Sequence, residues 1–169
     1  WPTRAGLALF WLIGQLPWDW LLAAGRGIGR LGWYLARARR RVTLINLKLC
    51  FPELSEQERT ALARRVMIST GEALLEMAGA FHNRRIDLGQ RLSVSGLEHL
   101  EAARARGQGV LLLGMHFNSI DVGSRLLGKF FRFSVVYRPN DNPLLDKLIT
   151  EGRGTWVNHS VDRNDLRQT

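Results

Sequence analysis

The sequence predicts an α/β domain preceded by an apolar helix and basic amphipathic helices. Three observations carry that reading: a long apolar run near the start, arginine-studded helical periodicity behind it, and alternating strand and helix signals from residue 109 onward. The expected organisation is a membrane anchor over residues 1–26 and the N-terminal portion of a second domain over residues 27–169. No Met precedes Trp1, and NDLRQ at the other end reads as a helix just starting, so the C-terminal part of that domain is expected beyond Thr169.

From Ala5 to Gly25 the chain reads AGLALFWLIGQLPWDWLLAAG. As one helix this run would rise about 30 Å, the thickness of a hydrocarbon core. Gln15, Pro17 and Asp19 oppose spanning, because a carboxylate at mid-bilayer costs about 2.5–3.5 kcal/mol and less near an interface. The run is Trp-rich, and more arginine follows it than precedes it. It therefore reads as a retained anchor rather than a cleaved leader, with the rest of the chain on the cytoplasmic side. Trp18 and Trp20 suit the headgroup belt. The competing reading is a buried hairpin broken at Pro17.

A net charge of +9 and a pI near 11.1 call for an anionic partner. Arg26, Arg30, Arg37, Arg39, Arg40 and Arg41 crowd directly behind the apolar run, which is the pattern for anionic lipid. The aromatic-plus-basic strand motif of a nucleic-acid surface is lacking. Leu31, Tyr34, Leu35, Val42, Ile45 and Leu49 recur at near-helical spacing among the arginines, predicting a basic amphipathic helix along a membrane surface as far as Pro52. A solitary Cys50 excludes an internal disulfide, favours a reducing compartment, and is expected as a small buried apolar residue.

SEQE, Ser55 to Glu58, has the capping-box pattern, and Leu62, Val66, Leu74, Met77 and Phe81 mark one face of a long helix closed by His82, Asn83, Arg84 and Arg85. RLSVSGLEHL predicts a short strand and then a turn or helix start. GVLLLG, Gly109 to Gly114, reads as a fully buried strand, and FRFSVVY, Phe131 to Tyr137, as the next. RPNDNP is a turn before another helix.

GMHFNSIDVGSR places His116 and Asp121 at the carboxyl end of the predicted buried strand, where open α/β sheets keep their sites. If Asn118 or Ser119 caps the next helix, Asp121 falls in its first turn and can orient the imidazole, leaving its other nitrogen to take a proton from a hydroxyl. The alternative is an ordinary strand-end histidine and an aspartate favoured by the helix dipole. His82, His99 and His159 show no metal-ligand spacing with Cys or acidic residues, and Ser119 lacks a nucleophile elbow.

HFNSID matches the H-x4-D/E box of glycerolipid-type acyltransferases. The wider text, INLKLCFPELSEQER, GMHFNSIDVGSR and VVYRPNDNPLLDKLITEGR in that order, resembles the lauroyl and myristoyl transferases of lipid A assembly. The resemblance implies a glycerolipid-acyltransferase-like α/β domain at the cytoplasmic face of the bacterial inner membrane. It implies an acyl carrier protein thioester as donor, a hydroxyl of a Kdo-bearing lipid A precursor as acceptor, no cofactor and no metal. By it, His116 deprotonates the acceptor, Asp121 orients His116, and Arg153 stabilises the oxyanion or holds a substrate phosphate. Arg138, Asn140 and Asn142 are implied substrate contacts, although the same block is rich in turn formers and Arg138 can simply brace the turn. Family members often carry Glu where Asp121 stands. A non-enzymatic basic module for membrane surfaces is the alternative function.

Overall fold

The computed structural model describes residues 2–83, 85–89 and 93–164. They form α1 (Pro2–Gly14), α2 (Trp18–Leu35), α3 (Arg37–Cys50), α4 (Glu56–His82), α5 (Leu97–Ala105), α6 (Ile120–Leu127), β1 (Val135–Tyr137), α7 (Pro143–Arg153) and β2 (Ser160–Asp162). The strands pair in parallel, with Val135, Val136 and Tyr137 opposite Ser160, Val161 and Asp162. Helix α7 is the crossover that a parallel pair requires. The fold is thus mostly helical with a small parallel sheet, compatible with part of an α/β domain.

Helix α4 is the central element, contacting α1, α2, α3, α6 and α7. Its start is the predicted capping box: Ser55 Oγ accepts from the Glu58 amide and the Glu58 carboxylate accepts from the Ser55 amide. The Ser55 hydroxyl also donates to that carboxylate, and this bond together with the one from the Ser55 amide holds the Glu58 carboxyl below its usual range. The apolar face predicted for this helix is only partly the buried one. Phe81 is buried, but Leu74 is 47% exposed, and Ala63, Gly71, Leu75 and Ala78 make the deepest contacts. Small residues win because α2 crosses very close. A Cβ on Gly71 would strike the Gly25 carbonyl, and one on Gly29 would stand 2.5 Å from the Met67 carbonyl oxygen. Leu21 is fully buried in the same interface.

The single helix expected from Ala5 to Gly25 is two. Helix α1 ends at Gly14 and α2 begins after Pro17, whose missing N–H and rigid ring interrupt the ladder. Both pack on α4. No helix among the described residues is long and apolar enough to cross a membrane. That corrects the expected transmembrane helix. The basic helix expected over residues 26–50 also divides, at Ala36, letting α3 fold back so that Trp33, Leu47 and Ala63 form a small core. The guanidinium carbons of Arg40 and Arg64 each lie 5.2 Å from the Trp33 ring centroid.

A second core joins Ala80 and Phe81 of α4 to Trp156 and Val157, with Val122, Phe133, Val135 and Leu148 packed around them. Residues 109–114, predicted as a buried strand, instead carry no regular structure, and Leu111 and Leu113 are each 96% exposed. Among the described residues only β1 and β2 pair, so this apolar run has no strand beside it to complete a ladder. The strand expected over Phe131–Tyr137 shortens to β1 for the same reason: only its last three residues meet β2. In RLSVS, residues 93–95 form no strand, while Arg91 and Leu92 lie outside the described residues, as do Arg84 and most of the helix start expected in NDLRQ. GLEHL does begin a helix, α5. Cys50 is exposed rather than buried, because it is the last residue of α3, one turn past Leu47, and the small core of Trp33, Leu47 and Ala63 does not extend to it.

Candidate functional site

The HFNSID segment is held against α4 by two side-chain bonds. Asn118 Nδ2 donates to Ser69 Oγ at 2.9 Å, and Ser119 Oγ donates to Glu76 Oε2 at 2.7 Å. Helix α6 then starts at Ile120 with Ser119 in the capping position, so Asp121 lies in the first turn. Its carboxylate is favoured there by the positive end of the helix dipole.

Arg153 reaches it from the opposite kind of helix end. It occupies the last turn of α7, where a cation is favoured, and its Nε donates to Asp121 Oδ1 at 2.7 Å. The side chains are 27% and 11% exposed, so the pair is substantially shielded from water. Gly152 allows this meeting. A Cβ there would lie 2.6 Å from the Phe81 ring, so only glycine lets the end of α7 settle on α4.

The structure therefore brings Asp121 and Arg153 together. His116 is not joined to them: it sits on the exposed segment before α6 and makes no hydrogen bond or ion pair with Asp121. Asp121 Oδ2 accepts no hydrogen bond among the described residues. Asn140 and Asn142 organise the turn before α7. Asn142 Oδ1 accepts from the Leu144 and Leu145 amides, Asn140 Oδ1 accepts from the Asn142 amide, and the Asn140 amide donates to Asp146. Arg138 lies 3.6 Å from Asp141 in an exposed ion pair.

Sequence reasoning passed over Arg125, one turn beyond Asp121. Its guanidinium donates to the carbonyls of Gly79, Ala80 and Ile86, closing the open C-terminal end of α4. Burial lowers its pKa from the usual arginine value. The i, i+4 spacing from Asp121 was the available signal, since it puts both residues on one helix face. Ser69 and Glu76 carried no signal in the sequence, because their partners lie more than forty residues away.

A family profile described as bacterial lipid A biosynthesis acyltransferase matches residues 1–169. The chain is 39% identical over 169 residues to the lipid A biosynthesis lauroyltransferase of Escherichia coli (strain K12), covering 99% of this chain and 55% of that protein. It is 33% identical over 167 residues to the palmitoleoyltransferase of the same organism, covering 99% and 55%. A lipid A biosynthesis acyltransferase of Haemophilus influenzae (strain ATCC 51907 / DSM 11121 / KW20 / Rd) is 37% identical over 171 residues, covering 99% and 54%. The chain spans about half the length of these curated relatives. No solved structure matches it.

Proposed function

The chain belongs to the bacterial lipid A biosynthesis acyltransferase family, and on that premise we propose that it carries the reacting residues of an acyl transfer to a lipid hydroxyl. The donor is an acyl carrier protein thioester and the acceptor a hydroxyl of a Kdo-bearing lipid A precursor. The observation that carries this reading is the shielded Asp121–Arg153 pair, held at 2.7 Å five residues beyond His116 in the H-x4-D box.

In this mechanism Arg153 holds Oδ1 of Asp121 and leaves Oδ2 to accept from the imidazole. Drawing residues 109–117 against α6 lets His116 donate one ring N–H to that oxygen. The other nitrogen removes the acceptor proton as the alkoxide forms its bond to the thioester carbonyl. The tetrahedral intermediate carries its charge on the former carbonyl oxygen, where the remaining N–H groups of Arg153 stabilise it. Collapse expels the thiolate, whose thiol has a pKa of about 8.5 and leaves without a strong acid. Arg138 and the free amide groups of Asn140 and Asn142 are proposed to contact substrate at the rim.

Residues 1–26 are proposed to embed in the cytoplasmic leaflet of the inner membrane. Supporting this, α1 and the start of α2 expose Leu9, Trp11, Leu12 and Trp20, and α2 and α3 continue with exposed Leu31, Tyr34, Leu35, Val42, Ile45 and Leu49, flanked by exposed Arg37, Arg39 and Arg41. Such a face suits a helix lying in an anionic interface.

The test is a mass-spectrometric assay of the full-length protein in membranes with a set of acyl carrier protein thioesters and the lipid acceptor. A product heavier by one acyl chain is expected from wild type and not from His116→Ala. Equal product from the variant overturns the general-base role. No product with any donor removes the acyl-transfer reading and leaves a membrane-surface module.

A further inference from the structure

A cavity of about 530 Å³ opens beside the Asp121–Arg153 pair, between the end of α6 and the turn after α7. Three cations line it: Arg125, Lys129 and Arg132, together with Thr155 and the apolar walls of Phe81 and Trp156. No carboxylate is among its lining residues. Arg132 makes no hydrogen bond or ion pair with any described residue. Lys129 donates to Asp87, an exposed carboxylate outside the cavity, at 2.9 Å, which leaves its other ammonium hydrogens for a ligand. Arg125 commits Nη1 to the α4 carbonyls of Gly79 and Ala80 and Nη2 to the carbonyl of Ile86 beyond that helix, and its side chain still lines the same space.

Like charges gathered on one concave wall repel each other, and apolar walls strengthen the field they share. That arrangement is relieved by an anion. Guanidinium forks and an ammonium point charge together suit the tetrahedral oxygens of a phosphate. The volume is within the range of small-molecule sites, enough for a phosphate and the ester group attached to it. Position adds a second constraint. Arg125 stands one helical turn, about 6 Å, beyond Asp121 on the same face of α6. Thr155 follows Arg153 by two residues, so the cavity and the reacting pair share both of their supporting elements.

We propose that this cavity is a phosphate-ester subsite, which holds a substrate phosphate while the reacting hydroxyl and thioester lie at Asp121 and Arg153. The proposal rests on the acyl-transfer reading above. Two substrates of that reaction carry such a group: the sugar headgroup of the lipid acceptor, and the phosphodiester of a carrier protein's pantetheine arm.

The experiment uses the full-length protein in detergent and its Lys129→Gln/Arg132→Gln double variant, leaving Arg125 intact because it closes α4. Inorganic phosphate is titrated at constant ionic strength while thermal unfolding is followed. Phosphate is expected to raise the Tm of wild type and not of the variant. In parallel, KM is measured with acceptor bearing or lacking its phosphate, and with donor as acyl carrier protein or as acyl-pantetheine without phosphate. The variant is expected to raise KM about tenfold for one phosphate-bearing substrate, the loss of one charge-assisted contact, and to leave KM for its phosphate-free form where wild type has it. The substrate affected identifies the source. Equal Tm response and equal KM values in the two proteins overturn the proposal. If wild type forms no product, the acyl-transfer reading falls, and the phosphate titration alone decides whether the cavity binds phosphate.

Discussion

Gly27 and Gly29 stand two residues apart on α2, yet alanine at each is expected to move stability in opposite directions. Around Gly27 a Cβ meets nothing within 4 Å, so Gly27→Ala brings only the better helix propensity of alanine, about 1 kcal/mol. At Gly29 the added carbon would lie 2.5 Å from the Met67 carbonyl oxygen and 2.9 Å from that of Ile68, whereas ordinary contact begins near 3.4 Å. Both obstacles are backbone and cannot rotate aside. The helices must part by about 1 Å, a gap that forfeits a quarter to a half of each dispersion contact across the seam. Overpacking of this kind costs about 2–3 kcal/mol, and the propensity gain offsets about 1, leaving a net loss of about 1–2 kcal/mol. The assay is thermal unfolding of the full-length protein in detergent, followed by helical circular dichroism. Gly27→Ala should melt above wild type and Gly29→Ala below it. A Gly29→Ala protein that melts at or above wild type would refute the close crossing of α2 and α4.

Arg153→Gln should cost about 2–3 kcal/mol, because it strips the partner from a shielded carboxylate, and adding Asp121→Asn should return part of that loss; simple additivity of the two, measured by the same melts, would sink the coupling. His82 has its pKa lowered by burial, so the fold favours its neutral form. Stability should be full above the unfolded value of 6.5 and fall as pH drops below it toward the depressed folded value, and His82→Leu should flatten that slope in melts run across the range. Replacing Arg37, Arg39 and Arg41 together with serine should weaken binding to vesicles containing phosphatidylglycerol by about 3 kcal/mol at low salt, at about 1 kcal/mol per residue. Binding to neutral vesicles should change little, and equal losses on both kinds of vesicle would count against an electrostatic origin.

The helix starts and turns were legible because they are local. The capping box at Ser55, the helix start near Ser119 and the turn before α7 each involve residues within a few positions, which a local pattern can show. The Pro17 break was visible too, though the span it forbids was read through it. What escaped the sequence depends on distant partners. The burial of Gly71 and Ala78 follows from how near α2 approaches, and a pattern of large apolar residues points to a neighbouring stripe instead. The exposed state of GVLLLG shows the converse: an apolar run specifies a strand only where another strand accepts its amides and carbonyls. The bond from Arg153 to Asp121 spans 32 positions and was anticipated for neither residue, since each had been given a separate role.

Helix α4, 27 residues and about 40 Å from end to end, touches α1, α2 and α3 and also α6 and α7, the helices that carry Asp121 and Arg153. Its amides therefore belong to one cooperative unit with both regions. In hydrogen exchange the middle of α4 would open only when the whole domain opens, while α5, which buries no residue, exchanges by local fraying. Ser69 and Glu76 hang the H-x4-D box from that slow-exchanging rod. The H-x4-D box is thus expected to depend on the last part of the molecule to unfold, and a mutation that loosens the helical seam would be felt at the box before any of its own residues had changed.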